Sequence, residues 1–236
     1  MIVVFFIILA VSVFSLILSI VLLNEYNKKT RKFHGYKHAQ KKLKKHGLCK
    51  GIVAFGSARI PDTDAHIKEI EEISELCAKR IKEKNKQISF ITGGGPSVMT
   101  AWLKGAKKYG AQTAGFAIKL PFEEETSGYS DYCYEFTNFP ARKQTFFDFA
   151  LCYVIFKGGF GTMDELYNLL CYMQTGRESK KPILVYPEDF YKNTLNFKEF
   201  IENGTIGNES MNLLKLCKTK EELLTHLYNI IDNYQN

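Results

Sequence analysis

The chain has 236 residues, of which 45% are hydrophobic and 24% are charged, and this composition predicts one sizeable globular domain. The formal net charge is +7, but ten lysine and arginine residues and no acid lie between Lys28 and Lys50. Residues 51–236 carry 22 basic and 24 acidic side chains, a net charge of −2, so charge excludes this part as a nucleic-acid-binding domain.

The first 24 residues are predicted to form a transmembrane helix. Met1 to Leu23 contains no charge and is long enough to cross about 30 Å of hydrocarbon. The alternative, a cleaved signal peptide, would need a basic stretch before the apolar run and a small-residue cleavage site after it. Residues 25–50 read as a basic juxtamembrane linker that lies on anionic headgroups. The positive-inside rule then predicts a single-pass, membrane-anchored protein with its catalytic domain in the cytoplasm.

Strand and helix patterns alternate through residues 51–236. The predicted strands are 51–56, 87–91, 112–118, 132–136, 151–156 and 182–186. The predicted helices are 62–84, 98–106, 141–150, one that opens around Thr162, 190–202 and 220–233. This alternation predicts an α/β fold: a doubly wound, mainly parallel Rossmann-like sheet with helices on both faces. The ligand site is expected beyond the carboxyl ends of the strands.

The glycine-rich turn after the strand 151–156 is the strongest candidate for a ligand site. Gly158, Gly159 and Gly161 permit close backbone approach, and the unpaired N–H groups of the following helix favour an anion. Glu165 would lie beside this pocket. A tight connection with an acidic first turn explains the same residues without a ligand. The turns match neither the dinucleotide-binding nor the P-loop pattern, so no cofactor is predicted and the pocket suits one phosphate.

The cysteine and histidine residues show no metal-binding pattern. Six cysteines are scattered without a C-x-x-C pair, which is typical of reduced thiols in a cytoplasmic protein. The five histidines have no ligand spacing either. A structural metal site is therefore not expected.

Five ordered motifs between about residues 50 and 205 carry a resemblance to a known family. They are Gly56-Ser-Ala-Arg59, Thr92-Gly-Gly-Gly-Pro96, Leu120-Pro-Phe-Glu123, Arg142-Lys143 and Gly158-Gly-Phe-Gly-Thr-Met-Asp-Glu165. In this order they resemble the LOG family of cytokinin riboside 5′-monophosphate phosphoribohydrolases and bacterial nucleotide nucleosidases. The resemblance implies hydrolysis of the N-glycosidic bond of a nucleoside 5′-monophosphate by a homodimer, with residues 51–236 as the hydrolase domain.

The resemblance also implies a role for individual residues. Arg142 and Glu165 match the catalytic pair, which would stabilise the oxocarbenium-like state and activate water. The implied substrate-binding residues are Ser57, Gly94, Gly95, Glu123, Lys143, Gly158, Gly159, Gly161 and Thr162. A structural explanation is also open for three residues. Ser57 and Arg59 would then only shape the first turn, and Glu123 would only belong to a solvated acidic loop.

Four positions depart from the family pattern, and other functions stay open. Lys157 replaces a proline and Ser97 a glycine, while Thr100 and Cys171 replace a usual glutamate and threonine. One alternative is a non-catalytic nucleotide or molybdenum-cofactor carrier, and another is a membrane-tethered scaffold without ligand. A pyridoxal-phosphate lysine decarboxylase is poorly supported, because no lysine has a recognisable Schiff-base setting. The aromatic-rich helix around Phe146, Phe147 and Phe149 would supply a dimer contact or, equally, core packing.

Overall fold

The computed structural model describes residues 14–22, 35–119 and 127–236. Within them, seven strands form one sheet in the order β4–β3–β2–β1–β5–β6–β7, and every neighbouring pair is parallel. The strands are β1 Gly51–Phe55, β2 Ser89–Thr92, β3 Thr113–Ile118, β4 Tyr132–Phe136, β5 Ala150–Ile155, β6 Ile183–Val185 and β7 Lys215–Leu216. The predicted parallel sheet is confirmed.

Several helices begin at a polar residue whose side chain accepts a hydrogen bond from the first turn. Asp64 accepts a hydrogen bond from His66 N (2.8 Å), and Asn138 accepts one from Ala141 N (3.0 Å). The helices are α1 35–45, α2 Ala65–Glu83, α3 Val98–Lys107, α4 Phe139–Phe149, α5 Phe160–Gln174, α6 Glu188–Thr194, α7 Phe197–Glu202 and α8 Lys220–Asn233. A 3-10 helix spans Asn208–Leu213.

Helices cover both faces of the sheet, as the sequence predicted. Successive residues of β1 alternate between two cores: Ile52 and Ala54 face one, and Val53 and Phe55 face the other. Helices α2, α3 and α8 cover the first core, while α1, α4 and α5 cover the second. The sheet is therefore buried on both sides, which explains its nearly continuous apolar strands.

Helix α1 belongs to the packed domain, although the sequence analysis assigned residues 25–50 to a linker. Ala39 and Leu43, spaced by four positions, are buried against the second core. The Tyr36 hydroxyl and the Gln40 amide both donate hydrogen bonds to the carboxylate of Asp148 in α4. The high lysine content of this segment concealed an amphipathic helix.

The predicted membrane anchor is not supported. Most of residues 1–24 lies outside the described residues, and the part that is described, 14–22, is helical. Among the described residues no helix is both long enough and apolar enough to cross a bilayer, since a span needs about 20 residues. The prediction of a single-pass membrane protein with a cytoplasmic catalytic domain is therefore wrong.

Helix α4 is held at its C-terminal end by two lysines. Lys50 Nζ donates to the backbone oxygen of Asp148, and Lys181 Nζ donates to that of Phe147. These ammonium groups donate to carbonyls that have no partner within the helix, and their positive charge stabilises the negative end of the helix dipole. Burial is the main cause that lowers the pKa of Lys181, and repulsion from Lys50 is the second.

The three aromatic side chains in the second half of α4 are buried, whereas Phe139 at its start is exposed. Phe146, Phe147 and Phe149 are all buried in the second core. Core packing thus explains these residues, and they are not the exposed surface that a dimer contact would need.

Candidate active site

A cavity of about 330 Å³ opens at the topological switch point of the sheet. From β1 the chain builds the sheet outward to β4, and then crosses back to place β5, β6 and β7 on the other side of β1. The described residues that line the cavity follow β1 (56–59), β2 (Gly93) and β5 (159–162), with Phe55 at the end of β1 and Met99, Arg142 and Glu165 from three helices. This position is where doubly wound sheets bind their ligands.

Arg142 and Glu165 face each other across this cavity. Arg142 Nη1 lies 3.8 Å from Glu165 Oε1, and the two side chains are only 13% and 9% exposed. Arg142 Nε also donates to the backbone oxygen of Phe116 (2.7 Å), and the guanidinium lies 5.3 Å from the Phe146 ring centroid. Three contacts thus hold a permanent positive charge beside a buried carboxylate.

The environment of Glu165 shifts its protonation equilibrium. Burial raises the pKa of this carboxyl group above its ordinary value, and the positive charges of Arg142 and Lys143 partly oppose that rise. A carboxylate with a raised pKa is a better proton acceptor once it is ionised. Glu165 therefore has the environment of a general base.

The turn between β5 and α5 supplies backbone donors to the cavity. The first N–H groups of α5 have no acceptor within the helix. The N-cap residue is Gly159, so no capping side chain satisfies them. A Cβ atom on Gly158 would lie 2.1 Å from Thr162 Oγ1, so only glycine fits there. Gly158 therefore shapes this turn, while Gly159, Gly161 and Thr162 line the cavity.

The turn after β2 makes room for the arginine. A Cβ atom on Gly93 would lie 2.5 Å from Arg142 Nη2 and 2.9 Å from Met99 Sδ. Gly94 has φ +81° and packs against Gly115, where a Cβ atom would be 3.3 Å from the neighbouring Cα. Gly93 thus has a steric role at the cavity wall, while Gly94 permits close packing against β3.

The structure brings together some of the predicted site residues and not others. The predicted residues that line the cavity are Ser57, Arg142, Gly159, Gly161, Thr162 and Glu165. Among the described lining residues, Gly94, Gly95, Lys143 and Gly158 do not appear. Lys143 instead forms an ion pair with Asp164 at 2.7 Å. Glu123 lies outside the described residues.

Sequence reasoning passed over several lining residues. Arg59 was interpreted only as part of a turn, and Gly93, Met99 and Phe160 were not considered as site residues. Phe160 is 96% exposed at the edge of the cavity. Arg59, Gly93 and Phe160 are part of the recognised motifs, and Met99 follows one of them closely, so membership of the three turns was the available signal.

The described residues give no sign of a metal centre. They contain no group of three histidine, cysteine or acidic side chains that could hold a metal ion. All six cysteines are free thiols. Burial raises the pKa of the Cys152 thiol to about 12, which keeps it protonated and unreactive at neutral pH.

Two curated rice proteins (Oryza sativa subsp. japonica) are similar to part of the chain. The probable cytokinin riboside 5′-monophosphate phosphoribohydrolase LOG4 is 26% identical over 145 residues, which cover 60% of this chain and 63% of the relative. The cytokinin riboside 5′-monophosphate phosphoribohydrolase LOG is 26% identical over 95 residues, which cover 40% of this chain and 39% of the relative. The chain thus spans less than two thirds of either protein.

Solved structures share the fold. The X-ray structure of TM1055 has a TM-score of 0.53 and 18% identity, covering 76% of this chain and 99% of that one. The molybdenum cofactor binding protein from the phototrophic bacterium Rippkaea orientalis has a TM-score of 0.50 and 19% identity, covering 78% and 96%. At this identity the likeness establishes the architecture alone.

A family model described as "Possible lysine decarboxylase" matches residues 99–227. That range contains the arginine and carboxylate of the cavity and the complete β5–α5 turn. Because the match covers more than half of the sequence, the chain belongs to this family, the LOG family that its five motifs resemble.

Proposed function

We propose that the chain hydrolyses the N-glycosidic bond of a nucleoside 5′-monophosphate to a free base and ribose 5-phosphate. The observation that carries the proposal is the Arg142–Glu165 pair, 3.8 Å apart in a cavity at the switch point of the sheet. The names of the two rice relatives support a nucleoside monophosphate as the substrate class.

The chemistry follows from charge. Breaking the bond between C1′ and the base leaves an electron pair on the base and positive charge on the ribose. The Glu165 carboxylate stabilises that positive charge and accepts a proton from the water that attacks C1′. The departing base takes up a proton from solvent, and Glu165 returns the proton that it accepted to solvent, so one water is consumed per bond broken. The fixed charge of Arg142 favours the ionised form of Glu165.

The main alternative is binding without catalysis, as in a nucleotide or molybdenum-cofactor carrier. One structure of similar fold is named as a molybdenum cofactor binding protein. A carrier has no use for a buried carboxylate in its cavity, which is costly to desolvate, whereas hydrolysis uses it to stabilise positive charge on the ribose. The buried Glu165 carboxylate therefore favours hydrolysis.

Decarboxylation of lysine has little support in this cavity. A pyridoxal-phosphate enzyme needs a lysine that forms a Schiff base with the cofactor. None of the described residues that line the cavity is a lysine. The family description therefore does not indicate the reaction of this chain.

The full chain is to be incubated with AMP, GMP, CMP, UMP and isopentenyladenosine monophosphate, with free base and ribose 5-phosphate followed by chromatography. Glu165→Gln is expected to lower the rate about 100-fold or more, whereas Asp189→Asn on α6 serves as an acid-to-amide control with unchanged rate. Absence of base release from all five nucleotides, or full activity of Glu165→Gln, overturns the proposal.

We also propose a homodimer, on the basis of the family resemblance. The described surface includes an apolar area on α5, α7 and the 3-10 helix, where Tyr167 and Phe200 are 39% and 40% exposed. Light scattering of the full chain tests this proposal, and a monomeric mass at all concentrations contradicts it.

A further inference from the structure

The turn that follows β1 is fixed in position by both neighbouring turns. Ser57 N donates to Lys157 O (2.9 Å) at the end of β5, and Val98 N at the start of α3 donates to Ser57 O (3.2 Å). Within the turn, Arg59 N donates to Ser57 Oγ (3.0 Å). The backbone that carries Arg59 is therefore held firmly at the switch point, between the β2 turn and the β5 turn.

The Arg59 side chain lines the cavity and is exposed. Within the described part of the chain its guanidinium makes no hydrogen bond or ion pair, and only its backbone N–H is engaged. The other arginine of the cavity, Arg142, already contacts Glu165 and the backbone oxygen of Phe116. Arg59 is thus the cavity cation whose charge the described protein residues do not offset.

The charge balance of the proposed substrate requires such a group. A phosphate monoester carries about −1.5 to −2 charges near neutral pH. The positive charge of Arg142 is balanced by ionised Glu165, and the part of the β5–α5 turn that lines the cavity, residues 159–162, offers only neutral donors. Lys157 belongs to the same turn but is not among the described lining residues. An arginine fork can bind two phosphate oxygens at once, which adds both charge and orientation.

We propose that Arg59 binds the 5′-phosphate of the substrate and sets the preference for nucleotides over nucleosides. The proposal rests on the proposed function for the identity of the substrate. The phosphate lies between the Arg59 guanidinium and the backbone donors at Gly159 to Thr162, so that the ribose extends toward Glu165. Phosphate recognition therefore comes from two turns that follow adjacent strands, β1 and β5.

The test is isothermal titration of the full chain with AMP, adenosine and inorganic phosphate, in a Glu165→Gln background that slows turnover. Arg59→Gln is expected to weaken AMP binding about tenfold or more and to leave adenosine binding unchanged. Arg59→Lys keeps the charge and recovers part of the affinity. Arg177→Gln, a change at another exposed arginine, serves as the control with wild-type affinity.

Kinetics in the active chain separate binding from positioning. Arg59→Gln is expected to raise KM for the nucleotide with a smaller change in kcat, and the salt dependence of KM becomes weaker. Wild-type AMP affinity in Arg59→Gln, or an equal loss of AMP and adenosine affinity, overturns the proposal.

Failure of the proposed function gives a different result. If no nucleotide is hydrolysed and AMP binding still depends on Arg59, the phosphate role stands and the hydrolase role is lost. If hydrolysis depends on Glu165 but neither KM nor AMP affinity responds to Arg59→Gln, the hydrolase role stands and this inference is refuted.

Discussion

Replacing Gly93 by alanine is expected to reduce catalysis much more than stability. The new Cβ atom would lie 2.5 Å from Arg142 Nη2 and 2.9 Å from Met99 Sδ, whereas ordinary contacts are at about 3.5 Å. The guanidinium therefore has to move by about 1 Å. Its Nε is held by the backbone oxygen of Phe116 at 2.7 Å, so the movement falls on the end that faces Glu165.

A displacement of about 1 Å of a catalytic group costs about 100-fold in rate, or about 2.7 kcal/mol of transition-state stabilisation. The free energy of unfolding changes by only about 1 kcal/mol, because both crowded atoms are at the ends of flexible side chains. Initial rates of base release and urea denaturation measure the two effects. Gly128→Ala is the control, since nothing lies within 4 Å of its added Cβ atom. A wild-type kcat in Gly93→Ala, or the same loss in Gly128→Ala, refutes the steric argument.

Burial raises the pKa of Glu165, so its contribution to stability is complete below the unfolded-state pKa of about 4.3 and is lost as pH rises through the folded-state value. Glu165→Gln is therefore expected to raise Tm relative to wild type at about pH 8 but not at about pH 4, and an equal difference at both pH values in thermal scans would contradict this. Ser97 has φ 61°, which strains a residue with a Cβ atom by about 1–3 kcal/mol. Ser97→Gly should have a higher free energy of unfolding than Ser97→Ala by about 1 kcal/mol or more. Both variants lose the hydrogen bond from Ser97 Oγ to Ile60 O (2.7 Å), but only glycine relieves the backbone strain. Equal urea midpoints of the two variants would argue against this. Gly105→Ala should lose about 2 kcal/mol or more of the free energy of unfolding in urea titrations, since its Cβ atom would meet the Glu71 backbone oxygen at 2.1 Å, and a stability gain from helix propensity alone would disprove this contact.

Most strands of the sheet were predictable because they are short and largely apolar and are followed by glycine or polar residues. The two-residue strand β7 was not predicted, because it is too short to show such a pattern. The prediction of residues 132–136 coincides with β4 Tyr132–Phe136, and that of 220–233 coincides with α8 Lys220–Asn233. The predicted single helix 190–202 is instead two helices, α6 and α7, separated by Leu195 and Asn196. Asn196 caps α7 by accepting from Glu199 N, a signal that the continuous apolar spacing concealed.

Site residues were predictable where they belong to a sequence motif. They were less predictable where their contact depends on which helices and strands become neighbours in the fold. Arg142 and Glu165 are 23 positions apart in the sequence, and their contact requires α4 and α5 to meet at the end of the sheet. Arg59 and Phe160 reach the same cavity only because β1 and β5 are neighbours. The substrate-binding roles of Gly94, Gly95 and Lys143 remain predictions, although these residues are not among the described residues that line the cavity.

Helix α1 has a practical consequence for where the folding unit begins. A shortened chain that starts at β1 would lack Tyr36, Gln40 and Lys50, the three side chains that hold Asp148 at the end of α4. It would also uncover the apolar surface now covered by Leu43. Such a chain would be less stable because it lacks these contacts. Its Arg142 would also be less well oriented, because Arg142 lies near the other end of α4. Nucleotide hydrolysis is therefore best measured on chains that retain residues 35–50, and a low activity of shorter ones would reflect a missing part of the core.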